Sequence, residues 1–234
     1  MKAPAATAHC GPLRLRALVT AGLRRRPVAC QRNQPAPPWR IVELSERLRA
    51  VLASRDRVAL VDGDAVRCAV LVPLLPDGDA YRVLYTRRTE HLPDHRGQVA
   101  FPGGKHAPSD LALLDTALRE THEEVGIARS DVQVLGRLDD VTTMAARYVV
   151  TPFVGVLPPD TRFRPNPAEV ADIFTLALSD LADPERQGTQ PRSWDGMVYD
   201  VDVITAGDHN IWGLTLRITQ NLLECIDTAR SQPR

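Results

Sequence analysis

The stretch from Phe101 to Ile127, FPGGKHAPSDLALLDTALRETHEEVGI, joins a glycine turn to a carboxylate-rich helix and constrains this chain more than any other segment. Pro102, Gly103 and Gly104 form a turn signal in which glycine adopts positive φ at little cost and lets the backbone come close to a ligand. Gly103 and Gly104 are therefore candidate substrate-binding residues. Ser109 and Asp110, both good capping types, stand where the helix is expected to begin, and Gly126 stands where it is expected to stop. At about 100° per residue, Leu111, Leu114, Ala117, Leu118, Thr121 and Val125 share one arc and are expected to pack against a sheet.

The other side of that helix carries charge. Glu120 and Glu124 are one i,i+4 pair and Glu123 is the i+3 neighbour of Glu120, so three carboxylates project from adjacent turns. Like charges at this spacing repel by a few tenths of a kcal/mol per pair even when solvated. A solvated acidic face is the ordinary outcome for such a run, but a glycine turn directly ahead of it favours a patch that is neutralised by a cation. Mg²⁺ or Mn²⁺ suits it, since a hard divalent ion takes oxygen ligands, keeps several waters and uses one or two carboxylates together with substrate phosphate oxygens.

With Gly104, Arg119, Glu120, Glu123, Glu124, Gly126 and Ile127 in place, the segment resembles the Nudix box. It departs from the general pattern at three points. Asp110 stands where that pattern has Glu, the spacing from Asp110 to Arg119 is one residue longer, and Thr121 replaces an apolar residue. These departures resemble the coenzyme A pyrophosphatase branch of the family. LYTRRTEHLPDHRGQVAFPGG, from Leu84 to Gly104, is similar to the signature that precedes the box in that branch, through Thr86, Arg88, Leu92, His95, Gly97, Gln98, Val99 and the Phe101–Gly104 run. Pro93 occupies a position where the branch commonly has Arg. Pro165, Asn166, Glu169 and Val170, and then Trp212, Gly213 and Thr215, extend the likeness over roughly Ala65 to Leu223. The resemblance implies a metal-dependent hydrolase that splits the diphosphate of coenzyme A or its derivatives into 3′,5′-ADP and 4′-phosphopantetheine. It also implies a Nudix-type α/β/α sandwich around a mixed β-sheet. Other nucleoside diphosphate derivatives, such as ADP-ribose or a dinucleotide, are the alternative substrates, and a non-catalytic nucleotide-binding module is the alternative outside the enzyme class.

Diphosphate oxygens already carry negative charge, so a nucleophile needs cations to draw charge onto the leaving phosphate. Glu120 and Glu124 are the first candidates for holding them, with Glu123 completing the cluster directly or through water. A proton acceptor is needed as well, and Glu123 and the distant Glu169 compete for that role. Arg119 either binds substrate phosphate or pairs with the carboxylates; lying beside them on the helical wheel, it fits the orienting role better. Arg88, Arg96 and Lys105 flank the turn as candidate phosphate or 3′-phosphate contacts, and Gln98 as a substrate hydrogen-bonding group.

Charge is unevenly distributed although the net charge is zero. Residues 1–42 hold Lys2, Arg14, Arg16, Arg24, Arg25, Arg26, Arg32 and Arg40 and no acidic residue, so the rest of the chain carries an equal acidic excess. An acidic body does not look like a nucleic-acid groove. Residues 1–40 are expected to be a flexible basic extension, and residues 41–234 the catalytic domain. Leu15, Leu18, Val19 and Leu23 give the extension a modest helical stripe, so a mitochondrial transit peptide is one reading; a dispensable leader on a cytoplasmic enzyme is the other. No apolar run reaches the roughly 20 residues that span a bilayer, and no membrane partner is expected. Cys10, Cys30, Cys68 and Cys225 are scattered without a Cys-x-x-Cys pair, which argues against zinc and against a disulfide framework. The sequence leaves room for a homodimer.

Periodicity predicts a helix over Ile41–Ala53, strands over Ala65–Leu75 and Tyr81–Arg87 around a Pro76–Gly78 turn, and strands over Val132–Leu138 and Tyr148–Leu157. A short helix over Leu176–Leu181, a strand over Met197–Ile204 and an amphipathic helix over Leu214–Ala229 are expected to follow. Pro35–Pro38 reads as a linker, and the Pro158–Pro167 and Pro184–Pro191 stretches read as loops.

Overall fold

The computed structural model describes residues 39–60, 63–92, 94–142, 148–194 and 196–231. The basic segment with its helical stripe, the Pro35–Pro38 linker and Pro93 lie outside the described residues. The first helix, α1 (Trp39–Ser54), leads into the long strand β1 (Val66–Asp77), which turns at Gly78 (φ 62°) into β2 (Ala80–Arg88). Glycine takes this left-handed conformation without a Cβ penalty, and Asp77 pairs with Ala80 across the turn.

Two very short strands follow, β3 (Val99–Ala100) and β4 (Gly103–Lys105), before the helix α2 (Leu113–Val125). Then come β5 (Gln133–Arg137), β6 (Val141–Thr142), β7 (Tyr148–Val156) and β8 (Val170–Ala177). The chain ends with α3 (Leu178–Leu181), β9 (Gln187–Trp194), β10 (Met197–Ala206), β11 (His209–Trp212) and α4 (Gly213–Ser231). The main sheet runs β3-β2-β1-β7-β5, with β4 on β1, β6 on β7 and β8 on β2, while β9, β10 and β11 form a small second sheet. Strands β1 and β7 pair in parallel and the other pairs are antiparallel, so the main sheet is mixed.

Alternation along β1 sorts the core into two layers. Cys68, Val72 and Leu74 face α1 and α4, where Leu48, Leu222 and Ile226 are buried. Ala69 and Leu71 face the other way, onto Ala117 and Leu118 of α2. Helices thus cover both faces of the sheet, as expected of an α/β/α sandwich. Cys68 and Cys225 are buried free thiols, and burial raises both pKa values, that of Cys68 to about 11. No described helix is long and apolar enough to cross a membrane.

Several expectations need correction. Helix α2 starts at Leu113, after Ala112, rather than at Asp110. The Asp115 carboxylate accepts from the Ala112 N–H at 2.9 Å and so ties down the entry to the helix. Leu111 consequently precedes the helix, escapes its wheel and is 97% exposed. The far end is as read: Gly126 is left-handed at φ 74° and its N–H donates to the His122 carbonyl. Thr121, fully buried, satisfies its hydroxyl by donating to the Ala117 carbonyl at 2.6 Å, so a polar residue is tolerated on the packed face. Strand β8 was missed, and the expected helix at Leu176 begins at Leu178 instead. The Pro184–Pro191 stretch is a loop only at first. Pro191 lies in β9, an edge strand, where proline is tolerated.

Candidate active site

Strand β4 brings the glycines and the carboxylates together. It pairs with β1 so that Gly104 opposes Ala69 and Gly103 opposes Val70, on the side where α2 packs. A Cβ on Gly104 would lie 2.5 Å from the Glu120 carboxyl carbon, so the missing side chain is the space that the Glu120 carboxylate occupies. The Gly103 N–H donates to Glu124 Oε2 at 3.3 Å, and a Cβ on Gly103 would lie 2.3 Å from the Ala69 carbonyl oxygen. These glycines leave room for the two carboxylates.

Glu124 is not on the solvent side, as the wheel had it. It comes one heptad after Ala117, so nearly two full turns return it to the packed face, beneath β4, and it is 4% exposed. Burial pushes its carboxyl up to about 8, against the pull of the Arg88 guanidinium; Glu120 and Glu169 push the same way as burial. Arg88 Nη1 stands 3.9 Å from Glu124 Oε1. Burial also raises the Glu120 carboxyl, opposed by Arg119 and aided by Glu123 and Glu169. Glu169 lies in the turn before β8, where its carbonyl accepts from the Thr89 N–H at 2.9 Å, and its charge acts on both Glu120 and Glu124. Glu123 points outward, half exposed, with Oε2 at 3.2 Å from Arg119 Nη1.

Arg119 is engaged at all three nitrogens. Nε and Nη2 donate to Asp110 Oδ1 and Oδ2 at 2.9 and 3.0 Å, Nη1 donates to Glu120 Oε1 at 2.9 Å, and Nη2 also reaches the Lys105 carbonyl at 3.3 Å. This geometry fixes the Glu120 rotamer. Asp110 anchors the arrangement: its buried carboxylate also accepts from the Ala107 N–H and the Thr116 hydroxyl, and the Arg119 fork holds its pKa well below the usual carboxylate range. Sequence reading took Asp110 for a cap because its partner is distant along the chain. The signal available was a carboxylate placed ahead of a helix that carries a lone arginine on its acidic side.

The structure places the remaining candidates apart from this cluster. Lys105 pairs with Cys68, so its side chain emerges on the face of β1 opposite to the carboxylates, and its Nζ lies 5.4 Å from the centre of the Tyr148 ring. Gln98 accepts at Oε1 from His95 Nδ1 at 3.0 Å within the loop ahead of β3. Arg96 donates from Nε to the Leu92 carbonyl at 2.9 Å in the same loop.

Among the described residues no three His, Cys, Asp or Glu side chains form a ready-made metal cage. The donor set nonetheless fits a divalent cation. Burial raises the proton affinity of both Glu120 and Glu124, Glu120 adds to the rise at Glu124, and the charge of Glu169 adds to both, which is the arrangement that a cation relieves. Two carboxylates with water and substrate oxygens suit Mg²⁺ better than an all-protein cage does.

Residues 66–194 match the NUDIX domain. The Yersinia pestis (strain Pestoides F) protein described as "Uncharacterized Nudix hydrolase NudL" is 40% identical over 158 residues, covering 68% of this chain and 78% of its own. Among solved structures, a Nudix hydrolase from Alicyclobacillus acidocaldarius is 20% identical, covering 74% of this chain and 98% of its own, with a TM-score of 0.49. The NUDIX domain of Shewanella oneidensis NrtR, complexed with ADP ribose, is 20% identical, covering 57% of this chain and 84% of its own, with a TM-score of 0.40. By the extent of the domain match and the identity to NudL, this chain belongs to the Nudix family.

Proposed function

We propose that this Nudix hydrolase of nucleoside diphosphate derivatives acts on coenzyme A or its derivatives, releasing 3′,5′-ADP and 4′-phosphopantetheine. The observation that carries the catalytic part is the seating of Glu120 and Glu124 against the side-chain-free strand Gly103–Gly104. The Leu84–Gly104 signature supports the substrate. In this reading Glu120 and Glu124 hold Mg²⁺ or Mn²⁺, which when bound supplies charge neutralisation at the diphosphate oxygens.

The chain's own groups do the rest. Arg119, gripped by Asp110, sets the Glu120 carboxylate and is a positioning residue. Arg88, with Nη1 3.9 Å from Glu124 Oε1, is a cation placed to meet the diphosphate. Glu169 accepts the proton of the attacking water, a role for which Glu123 is less suited because its oxygen is held by Arg119 on the solvent side. The deciding test is hydrolysis of a substrate panel by the full chain with Mg²⁺, Mn²⁺ or a chelator. Coenzyme A is expected to be cleaved in preference to ADP-ribose and dinucleotides, and only with metal. A clear preference for ADP-ribose would overturn the substrate assignment, and equal rates in chelator the metal assignment.

A further inference from the structure

A cavity of about 260 Å³ opens where the end of β2 and the loop ahead of β3 meet the small sheet. Arg87, Arg96 and Arg192 line it together with Gln98, His209 and Trp212. Asp208 is the one acidic residue among its described walls, and none of the three guanidinium groups is ion-paired among the described residues. Three polar atoms of this wall are buried without any hydrogen-bond partner: Arg87 Nε, Arg192 Nε and His209 Nδ1. Two of these, the Arg87 and Arg192 Nε–H groups, are donors, and three guanidinium groups without an ion pair around one cavity call for an acceptor-rich ligand.

The groups are also held in place. The Arg192 guanidinium lies 5.0 Å from the centre of the Trp212 ring, and its Nη2 donates to Gln190 Oε1 at 3.3 Å. His209 stacks on Phe174 with ring centres 3.7 Å apart and an interplanar angle of 2°, and its Nε2 stands 3.5 Å from Asp172 Oδ2. A phosphate monoester offers three acceptor oxygens and up to two negative charges, and guanidinium forks match it in geometry and sign. The loop that lines the cavity is tied to the strand that carries Arg88, because the Gln98 carbonyl accepts from the N–H of Arg88 at 3.0 Å.

We infer that this cavity is a phosphate-monoester subsite, distinct from the place where Glu120 and Glu124 would hold the diphosphate. As a substrate subsite it rests on the coenzyme A reading, because the nucleotide of coenzyme A carries a ribose phosphate monoester that ADP-ribose lacks. Free phosphate is the other source of the same chemistry.

The test uses the full chain in chelator, with binding measured calorimetrically for inorganic phosphate, 3′,5′-ADP and 5′-AMP, and with R192Q and the exposed-loop variant R96Q as controls for each other. 3′,5′-ADP is expected to bind about tenfold or more tightly than 5′-AMP, and each variant with an unchanged Tm is expected to lose that preference. In turnover, the variants should raise KM for coenzyme A while changing little for dephospho-coenzyme A. Binding of inorganic phosphate that the variants abolish, without any preference for 3′,5′-ADP, would make free phosphate the occupant and keep the subsite. Phosphate and 3′,5′-ADP binding unchanged in both variants, or absent in the parent chain, would overturn the inference. Failure to cleave coenzyme A alongside variant-sensitive phosphate binding would sink the substrate reading alone.

Discussion

At the scale of single residues, Glu124 carries the sharpest expectations. Its folded-state pKa, about 8, lies above the unfolded value near 4.5, so ionising it disfavours the fold. The metal-free protein should therefore be most stable with respect to this group below about pH 4.5 and lose on the order of 3 to 5 kcal/mol as pH rises through about 8. E124Q should flatten that part of the Tm-against-pH curve. The same substitution should cut turnover roughly a hundredfold or more while leaving Tm in chelator at neutral pH no lower than the parent's. Cation binding must displace this proton, so the apparent affinity for Mg²⁺ should climb with pH up to about 8 and level off above it, with proton release detectable by calorimetry in buffers of different ionisation enthalpy. Arg119 offers a separate check. R119K cannot span both Asp110 oxygens, and it should raise the metal activation constant about 10- to 100-fold while moving the substrate KM far less.

Elements explain why two adjacent glycines should respond differently. An alanine at Gly104 meets the tip of Glu120, a flexible side chain that can swing away, so G104A should keep its Tm within about 1 kcal/mol of stability yet lose most activity. An alanine at Gly103 meets the Ala69 carbonyl and the Val70 Cα, both backbone, so G103A should unfold at clearly lower denaturant. Chemical denaturation and turnover on the same samples separate the two cases. The long elements were legible in the sequence because periodicity accumulates over many residues: α1, β1, β2, β7 and α4 lie close to where they were read. Strands β3 and β4 were not, since two or three residues carry no period and glycine is disfavoured in strands. The box carboxylates and Arg119 were legible as one helical patch. Which of them was buried was not, because the phase of α2 against β4 depends on a strand that the sequence does not announce. The arginine cavity lay further out of reach, as it joins residues from β2, β9 and β11.

For the molecule as a whole, one buried carboxylate ties the connection after α1 to the sheet. Asp140, with a side chain 1% exposed, accepts from Arg57 Nη1 at 2.7 Å, the Leu60 N–H at 3.0 Å and the Thr151 hydroxyl at 2.7 Å, with Arg67 Nη2 at 3.5 Å. D140A removes the acceptor that the Leu60 N–H, the Thr151 hydroxyl and the Arg57 guanidinium share, so urea unfolding should report a loss of about 2 to 4 kcal/mol with activity per folded molecule retained. The parallel ladder from Val66–Tyr148 to Leu74–Val156 has a further consequence. The residues proposed to seat the metal, from the glycine strand to α2, lie in the crossover between its two members. During synthesis, a nascent chain that has emerged only as far as α2 already holds these carboxylates but lacks the strand that closes the sheet beside them. The carboxylate patch is thus expected to be completed late, when β7 docks, because pairing of this kind is non-local and slow.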